Sequence, residues 1–563
     1  MHLSNQRDYF GHQIIPKMKK HIKHINAFAI GLILSGSMTA CVDLTETNTN
    51  PNGVESTAVH PNLLLTTILS NTATSEVNLG FGDIAGVMQH TQKDAWFTGH
   101  NNYEWSNQSW TGNYSILADI KMMEQRAEAL ELPFYEGVAK VMEAYHFARI
   151  ADLWGDAPYA DAVSGDQGGE QFLLPAFDSQ QAIYEGVITE LKEANDLLAA
   201  LGTFEATPQD ILFEGNVLKW RQFANSLRLR LYLRISEKMP EMASQGMQEI
   251  LNDASRYPII TVASDDAAIA FPGGTSANSW PSNTEFDGSN GSNYRRIKMC
   301  ATLVEVLQSL NDNRISLWAE KVEVPIVIDE TLPAGTDKII DGKRYIAADI
   351  AAEKTVDTDP MYVGIPPAVS NIPSEYNLNP TPGQQSYNPH VSFINERYTA
   401  PSGPLLKARL LSAAEVHFIL AEATLSGLVN AGSAKDHYEA GVKASFEAWD
   451  LENDFEEYIT GEAAFDTSLE QIMTQKWIAA WTASTESWFD YRRTGYPELA
   501  AGPAAVRSVL PVRFYYMQDE LTINEKSANE AVSRLETTQF SQADDKNSAW
   551  SKFWLLQGTG KPW

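Results

Sequence analysis

The sequence predicts a mainly α-helical fold, built from tetratricopeptide-like helix pairs with a loop-rich insert that contains short strands. Apolar residues recur at helical spacing in both halves of the chain, whereas Gly, Asn, Ser and Pro dominate its middle. The composition, 44% hydrophobic and 20% charged, is that of a globular protein and excludes disorder. No strict 34-residue period is visible, so we expect helix pairs without a regular repeat.

The predicted elements follow from local patterns. Apolar residues recur every three or four positions over 133–150, and Gly155 with Pro158 ends that segment. The same spacing predicts further helices near 183–198, 220–231, 412–425, 434–448, 468–483 and 484–493. In the middle, Asp341-Gly342 lies between two β-prone runs, which is typical of a tight hairpin.

The first forty residues have the pattern of a secretory signal. Four lysines precede the apolar run 27–34, and small residues follow before Cys41. Met38-Thr39-Ala40-Cys41 resembles a bacterial lipobox, in which the signal is cut before the cysteine and the cysteine is acylated. Met18 looks like a more usual start, so residues 1–17 are interpreted as a mis-called extension. An incidental cysteine after a plain signal is the alternative.

Export and charge exclude several classes of function. The formal charge is −30, and removal of residues 1–40 takes away five basic side chains and one acidic one, leaving −34. A surface this acidic repels phosphate backbones, so nucleic acid is not the expected partner. The apolar run is too short to span a bilayer, and we expect no transmembrane helix in the mature protein. If Cys41 carries lipid, Cys300 has no cysteine left to pair with.

The predicted organisation has three parts. Residues 1–40 form the signal peptide, and 41–60 form a lipidated cysteine with a flexible tether, because Asn-Pro and Asn-Gly occur there with few large apolar side chains. A single body is expected over 61–563. It is predicted to be helical over 61–240 and 404–500, with the loop and short-strand region at about 241–403.

Seven strings in the body carry a family resemblance. They are AYHFARIADLWGDAPY at 144–159, PAFD at 175–178, WRQFANSLRLR at 220–230, AEVHFILAEA at 414–423, QKW at 475–477, WFDYRRTGYP at 488–497 and PVRF at 511–514. In this order they resemble the SusD/RagB-like nutrient-binding outer-membrane lipoproteins of Bacteroidota. The resemblance covers about residues 41–555, although each string alone is a helix-packing motif of modest specificity.

The resemblance implies a function. It is that of a lipid-anchored protein on the outer membrane, facing the cell exterior, that captures a nutrient and hands it to a SusC-like TonB-dependent transporter. The expected ligand is an oligosaccharide, and the alternative within the family is a peptide captured by a RagB-like protein. The resemblance implies a binder, not an enzyme, that needs no cofactor.

Charged residues within the matched strings have two interpretations. Asp152, Glu415, Glu422, Arg492 and Arg493 lie beside apolar residues in predicted helices, which favours ion pairs that fix helical packing. The alternative is that Arg492 and Arg493 clamp an acidic substrate, because a guanidinium group suits a carboxylate.

A secreted hydrolase is the alternative from another class. The sequence contains no H-E-x-x-H, G-x-S-x-G or P-loop motif, and no Cys/His cluster with metal spacing. His146 and His417 lie in helical strings and are interpreted as packing residues. A carboxylate pair for glycoside hydrolysis stays open, since any two acids could meet in space.

Aromatic residues in polar loops are the candidate ligand contacts. Sugar rings pack their C–H faces on aromatic rings and pair their hydroxyls with amides. Two loops combine these groups, and the candidates are Trp96, Asn101, Asn102 and Tyr103 in the first and Trp280, Asn283, Phe286 and Tyr294 in the second. The alternative is that Trp96, Trp105 and Trp280 pin their loops to the body. No metal ligand is predicted.

Overall fold

Among the residues that the structure describes, the first half of the chain forms eight α-helices, some of them closed by side-chain caps. In this computed structural model, residues 59–94, 98–105, 108–281, 296–352, 354–369, 376–379, 381–382, 388–561 and 563 are described. The helices are α1 (Pro61–Gly80), α2 (Asp83–Val87), α3 (Thr111–Ala129), α4 (Pro133–Trp154), α5 (Glu170–Leu173), α6 (Gln180–Leu201), α7 (Val217–Arg234) and α8 (Pro240–Asn252). Ser179 and Asn216 cap α6 and α7 by accepting backbone N–H bonds, and Gly155, at φ 97°, ends α4.

The described residues of the second half form ten more α-helices, three of which begin with a serine cap. They are α9 (Ala301–Ser309), α10 (Ile315–Trp318), α11 (Ala348–Ala351), α12 (Ala413–Leu425), α13 (Ala434–Glu447), α14 (Phe455–Thr460), α15 (Leu469–Ala479), α16 (Ser484–Thr494), α17 (Gln518–Ile523) and α18 (Glu525–Arg534). Ser412, Ser433 and Ser468 each accept a bond from the backbone N–H three residues on. The mainly helical fold predicted from the sequence is confirmed.

Short strands join distant parts of the chain. Strand β1 (Thr91–Lys93) pairs with β3 (Ile297–Met299), and β2 (Ala267–Ala270) pairs with β7 (Lys407–Leu411), both antiparallel. The third sheet has the order β4 (Ile326–Ile328), β6 (Lys343–Ile346), β5 (Asp337–Ile340). Strands β5 and β6 form the predicted hairpin, in which Ile340 opposite Lys343 flanks the Asp341-Gly342 turn.

Sequential helices pack against one another around a tryptophan-rich core. The principal contacts join α3 to α4, α4 to α6, α6 to α7 and α12 to α13. The chain divides into a unit of residues Met1–Val59 and a unit of residues His60–Trp563, and this core lies in the second. The tryptophans buried completely or nearly so are Trp154, Trp220, Trp280, Trp318, Trp449, Trp477, Trp481 and Trp488.

Buried ion pairs tie the helices together. Arg234 pairs with Asp152 and Glu486, Arg492 with Asp152, Arg230 with Glu415 and Glu486, Arg493 with Glu422 and Asp490, and Lys476 with Asp490. This set of ten charged side chains is the ion-pair network. Its five cations balance its five anions, which confirms the packing interpretation of the charged motif residues. Arg492 and Arg493 are buried and engaged inside the protein, so they do not form a clamp for an acidic substrate.

Two histidines in the motifs also pack inside the body. The Nε2 atom of His146 lies 2.8 Å from Thr72 Oγ1, and Nε2 of His417 lies 3.0 Å from the Thr261 carbonyl. Burial lowers the pKa of His146 to about 3, which keeps its ring neutral. Within the part of the chain that the structure describes, no helix is both long and apolar enough to cross a membrane.

Candidate functional site

Trp280, a predicted ligand platform, lies in the core. Its side chain is 0% exposed, and its ring packs 5.5 Å from the ring of Phe271, 6.0 Å from Phe81 and 6.1 Å from Tyr398, measured between centroids. Its backbone N–H donates to the Pro401 carbonyl, which fixes the loop. The prediction of an exposed platform was wrong for Trp280, because the loop turns its indole inward.

The polar loop before α3 uses its candidate side chains internally. Asn101 accepts from the Lys93 backbone N–H at 2.7 Å and donates to the Lys93 carbonyl at 2.8 Å. Asn102 accepts from the backbone N–H of Gly99 and of Glu104. Tyr103 is 1% exposed, with its backbone at φ 64°. The prediction that these three side chains face a ligand is corrected, since Asn101 and Asn102 hold the loop together and Tyr103 packs in the core.

The remaining candidates lie outside the described residues. These are Trp96, Asn283, Phe286 and Tyr294, together with the lipid-attachment candidate Cys41. Their roles stay predictions.

A solvent-open groove between α1 and α3 is the candidate site that the structure shows. We call it the polar groove, and its volume is about 540 Å³. Neutral amide and hydroxyl residues make up eight of its sixteen lining residues. The lining residues are Asn71, Thr74, Ser75, Asn78, Leu79, Asp83, Gln108, Ser109, Gly112, Asn113, Ser115, Ile116, Arg149, Leu153, Trp154 and Phe514.

Helix α1 supplies one wall of the polar groove. Asn71, Thr74, Ser75 and Asn78 recur at positions i, i+3, i+4 and i+7, so they form one face of the helix. Asn71 and Asn78 are exposed, and the two hydroxyl residues are half-buried. A solvent-facing helix face is usually charged, whereas this one offers only neutral hydrogen-bonding groups.

The deep side of the polar groove combines aromatic rings with unpartnered polar atoms. Trp154, at the end of α4, is 1% exposed, and its ring centroid lies 5.3 Å from that of Phe514. Among the described residues, neither the Trp154 indole N–H nor the Asn113 Oδ1 atom has a hydrogen-bond partner. Asn113 is 8% exposed. A buried donor and a buried acceptor without partners cost free energy, which a bound ligand or water would recover.

The two charged side chains in the groove lining are Arg149 and Asp83. Arg149 pairs with Glu76 at 2.5 Å and donates to the Ser75 carbonyl at 3.2 Å. Asp83 lies 3.6 Å from Nδ1 of His100. Burial lowers the pKa of His100, which keeps its ring neutral, and the nearby ring lowers the pKa of Asp83. The groove therefore holds a paired cation, Arg149, and a partly exposed carboxylate, Asp83, whose imidazole neighbour does not neutralise it.

The chemistry of the polar groove is that of recognition. Hydroxyl and amide groups with an aromatic floor match the hydroxyls and C–H faces of a neutral sugar. Within the described ranges, no group of three or more His, Cys, Asp or Glu side chains converges to hold a metal ion.

Sequence reasoning missed the residues of this groove. The neutral stripe on α1 was a readable signal, because four uncharged polar residues share one helix face. Gln108 and Ser109, just beyond the loop that was singled out, also line the groove. The convergence of Trp154 and Phe514 had no local signal, since 359 intervening residues separate them in the chain.

The fold and the groove define a helical binding protein with an open site for a polar ligand. The SusD-like family model, described as starch-binding and associating with the outer membrane, matches residues 51–329 and 343–517. The chain belongs to this SusD-like family, whose members are binding proteins associated with the outer membrane.

Solved structures share the fold. A Bacteroides vulgatus outer membrane protein assigned to nutrient binding is 25% identical, with a TM-score of 0.68, and the match covers 89% of this chain and 100% of that one. A SusD homologue of Bacteroides fragilis has 21% identity, a TM-score of 0.69 and the same coverage. A structure named as a chitin-binding protein has 23% identity and a TM-score of 0.68, covering 88% of this chain and 99% of that one. No curated protein matches the chain.

Proposed function

We propose that the polar groove captures a neutral oligosaccharide as the first step of nutrient uptake. The observation that carries this proposal is the unpartnered pair at its deep side, the Trp154 indole N–H and the Asn113 Oδ1 atom. A sugar hydroxyl both donates and accepts, so it suits either group. The chitin-binding and nutrient-binding names of two structural neighbours, together with the starch-binding description of the family, support a glycan.

Peptide capture is the second possibility within the family. A peptide backbone could use the same hydrogen-bonding groups, but its charged termini and side chains need unpaired charges nearby. Arg149, the cation in the groove lining, is engaged with Glu76 and offers no free positive charge to a carboxylate, which favours an uncharged ligand over an acidic peptide. Capture without chemical conversion is the function that the groove supports best.

Removing the donor or the acceptor is expected to weaken glycan binding about tenfold each, because either change leaves a ligand group without its hydrogen-bond partner at a buried part of the wall. The variants are Trp154→Phe, which keeps an aromatic ring, and Asn113→Ala. The measurement is calorimetric affinity for the best ligand found on a glycan array.

The matched control is Trp318→Phe. Trp318 is also fully buried, its indole N–H is also unpartnered among the described residues, and it does not line the polar groove. The Trp318→Phe variant should lose about as much stability as Trp154→Phe and should bind the glycan with unchanged affinity. If both variants lost affinity equally, the proposal that the polar groove binds the glycan would be refuted.

The protein is further proposed to be a lipoprotein on the cell exterior that hands its ligand to a SusC-like TonB-dependent transporter. The lipobox-like residues 38–41 and the polar segment 42–60 support a lipid anchor on a tether. The outer-membrane association of the family supports the location and the kind of transporter partner. A soluble body on a tether can move between solvent and the mouth of a transporter.

Replacing Cys41 with Ser is expected to move the protein from the membrane fraction to the soluble fraction with its fold intact, because the acidic surface offers no other attachment. Fractionation of cells that lack the transporter, followed by circular dichroism of the released protein, measures this. The control is Cys300→Ser, which leaves the lipid site untouched. Retention of the Cys41 variant on membranes would contradict the anchor.

A further inference from the structure

A second cavity adjoins the polar groove on the other side of Ser115. We call it the apolar pocket, and its volume is about 420 Å³. It lies between the start of α3, the segment 158–175 and helix α17. The lining residues are Trp110, Thr111, Tyr114, Ser115, Ala118, Pro158, Ala162, Val163, Leu173, Leu174, Pro175, Glu520, Ile523 and Asn524.

The main polar groups around the apolar pocket are used inside the protein. The Tyr114 hydroxyl donates to the Pro158 carbonyl at 2.7 Å, and the Asn524 amide donates to the Pro175 carbonyl at 2.8 Å. The Trp110 indole N–H donates to Glu520 at 3.3 Å. Ten of the fourteen lining residues carry apolar or aromatic side chains, against five of the sixteen that line the polar groove.

The rim of the apolar pocket exposes large aliphatic side chains. Leu173 is 66% exposed and Ile523 is 69% exposed, and Leu174 lies beside them at 36%. Leu173 and Ile523 are the two most exposed large hydrophobic residues in the described part of the chain. Clustered exposed apolar residues around a concavity mark a contact surface.

The two cavities share a wall. Ser115 lines both, and the ring of Trp110, in the apolar pocket, packs 5.7 Å from the ring of Trp154, in the polar groove. Phe514 extends this aromatic wall on the groove side and Tyr114 on the pocket side. A ligand lying along the wall would meet hydrogen-bonding groups at one end and apolar groups at the other.

We propose that the apolar pocket binds an acyl or aryl substituent carried by the oligosaccharide in the polar groove, so that the substrate class is a substituted glycan. This inference rests on the proposed function, since the groove must hold the sugar. We infer this kind of ligand group from the position of the pocket. The pocket adjoins the polar groove, shares its aromatic wall and offers apolar contacts where the groove ends.

The experiment compares sugars with and without an aryl group. The probes are triacetylchitotriose, maltotriose and xylotriose, the 4-methylumbelliferyl glycoside of each, and free 4-methylumbelliferone, titrated by fluorescence and calorimetry. We expect the aryl group to raise the affinity of a bound sugar about tenfold, the factor typical of moving a small aromatic group from water into an apolar site.

Variants separate the two cavities. In the double variant Leu173→Ser, Ile523→Ser, the aryl group should no longer raise the affinity, whereas the affinity for the plain sugar should not change. We call the gain in affinity that the aryl group gives the aryl increment. Asn113→Ala should weaken both probes and keep the increment. The matched control is the double variant Leu63→Ser, Leu218→Ser, which removes two exposed leucines that line neither cavity and should behave as wild type.

Each outcome decides a specific claim. If the aryl group still raises the affinity in the Leu173, Ile523 double variant, the apolar pocket does not bind it. The same conclusion follows if the aryl group raises the affinity of no sugar. If no sugar binds but free 4-methylumbelliferone binds and needs Leu173 and Ile523, the proposed function fails and the apolar site stands without its glycan. If neither the sugars nor the free aryl probe bind, both proposals fail.

Discussion

Replacing Asp152 with Asn is expected to lower the free energy of unfolding by about 3–5 kcal/mol. Asp152 is buried on α4 and pairs with Arg234 and with Arg492, and it accepts a 2.7 Å hydrogen bond from the Tyr184 hydroxyl. The amide keeps the shape of the side chain and removes its charge. Two guanidinium groups then share a buried site with one anion fewer, so the charge balance of the ion-pair network is lost.

Chemical denaturation of the soluble body measures this effect. The control is Asp545→Asn, the same chemical change at an exposed position, which should alter stability by less than about 0.5 kcal/mol. Similar small losses for both variants would show that Asp152 contributes no more than a surface charge.

Truncating Trp280 to Ala is expected to cost about 3–5 kcal/mol of stability. The indole is completely buried against Phe81, Phe271 and Tyr398, so its removal leaves a cavity that the surrounding rings cannot fill. Affinity for a glycan should not change in molecules that remain folded, because Trp280 does not line the polar groove.

The measurement is therefore paired, with thermal midpoint and glycan affinity determined for the same variant. Trp280→Phe is the graded control, since it keeps a ring in the cluster and should lose less stability. A Trp280→Ala protein with an unchanged midpoint and a weakened affinity would restore Trp280 as a ligand contact.

Local patterns were sufficient to predict seven of the helices and one hairpin. The apolar spacing over 133–150 and the stop at Gly155 correspond to α4, and Asp341-Gly342 corresponds to the β5–β6 turn. Such features depend on interactions between residues close in sequence, so a short window contains the information. The packing role of Asp152, Arg492 and Arg493 was also predictable from the sequence, because charged residues among apolar helix residues need buried partners.

Loop composition misled the prediction of ligand contacts. Trp280 and Tyr103 lie among Asn, Ser and Gly, which is typical of exposed segments, yet both side chains are buried. A polar loop can turn a single aromatic side chain inward and satisfy its own backbone, as Asn101 and Asn102 do. Composition reports the average environment of a segment, whereas burial is a property of each side chain.

The sequence by itself determined the helical class, the positions of seven of the helices, the acidic charge and the neutral residues that form the stripe on α1. Only the tertiary structure decided that this stripe faces α3 across an open groove and that Trp154 and Phe514 form its floor. It also decided which polar atoms are left without partners. The physical reason is that helix periodicity arises from neighbours in the chain, whereas a binding site arises where distant segments meet and their hydrogen-bonding groups are not all satisfied.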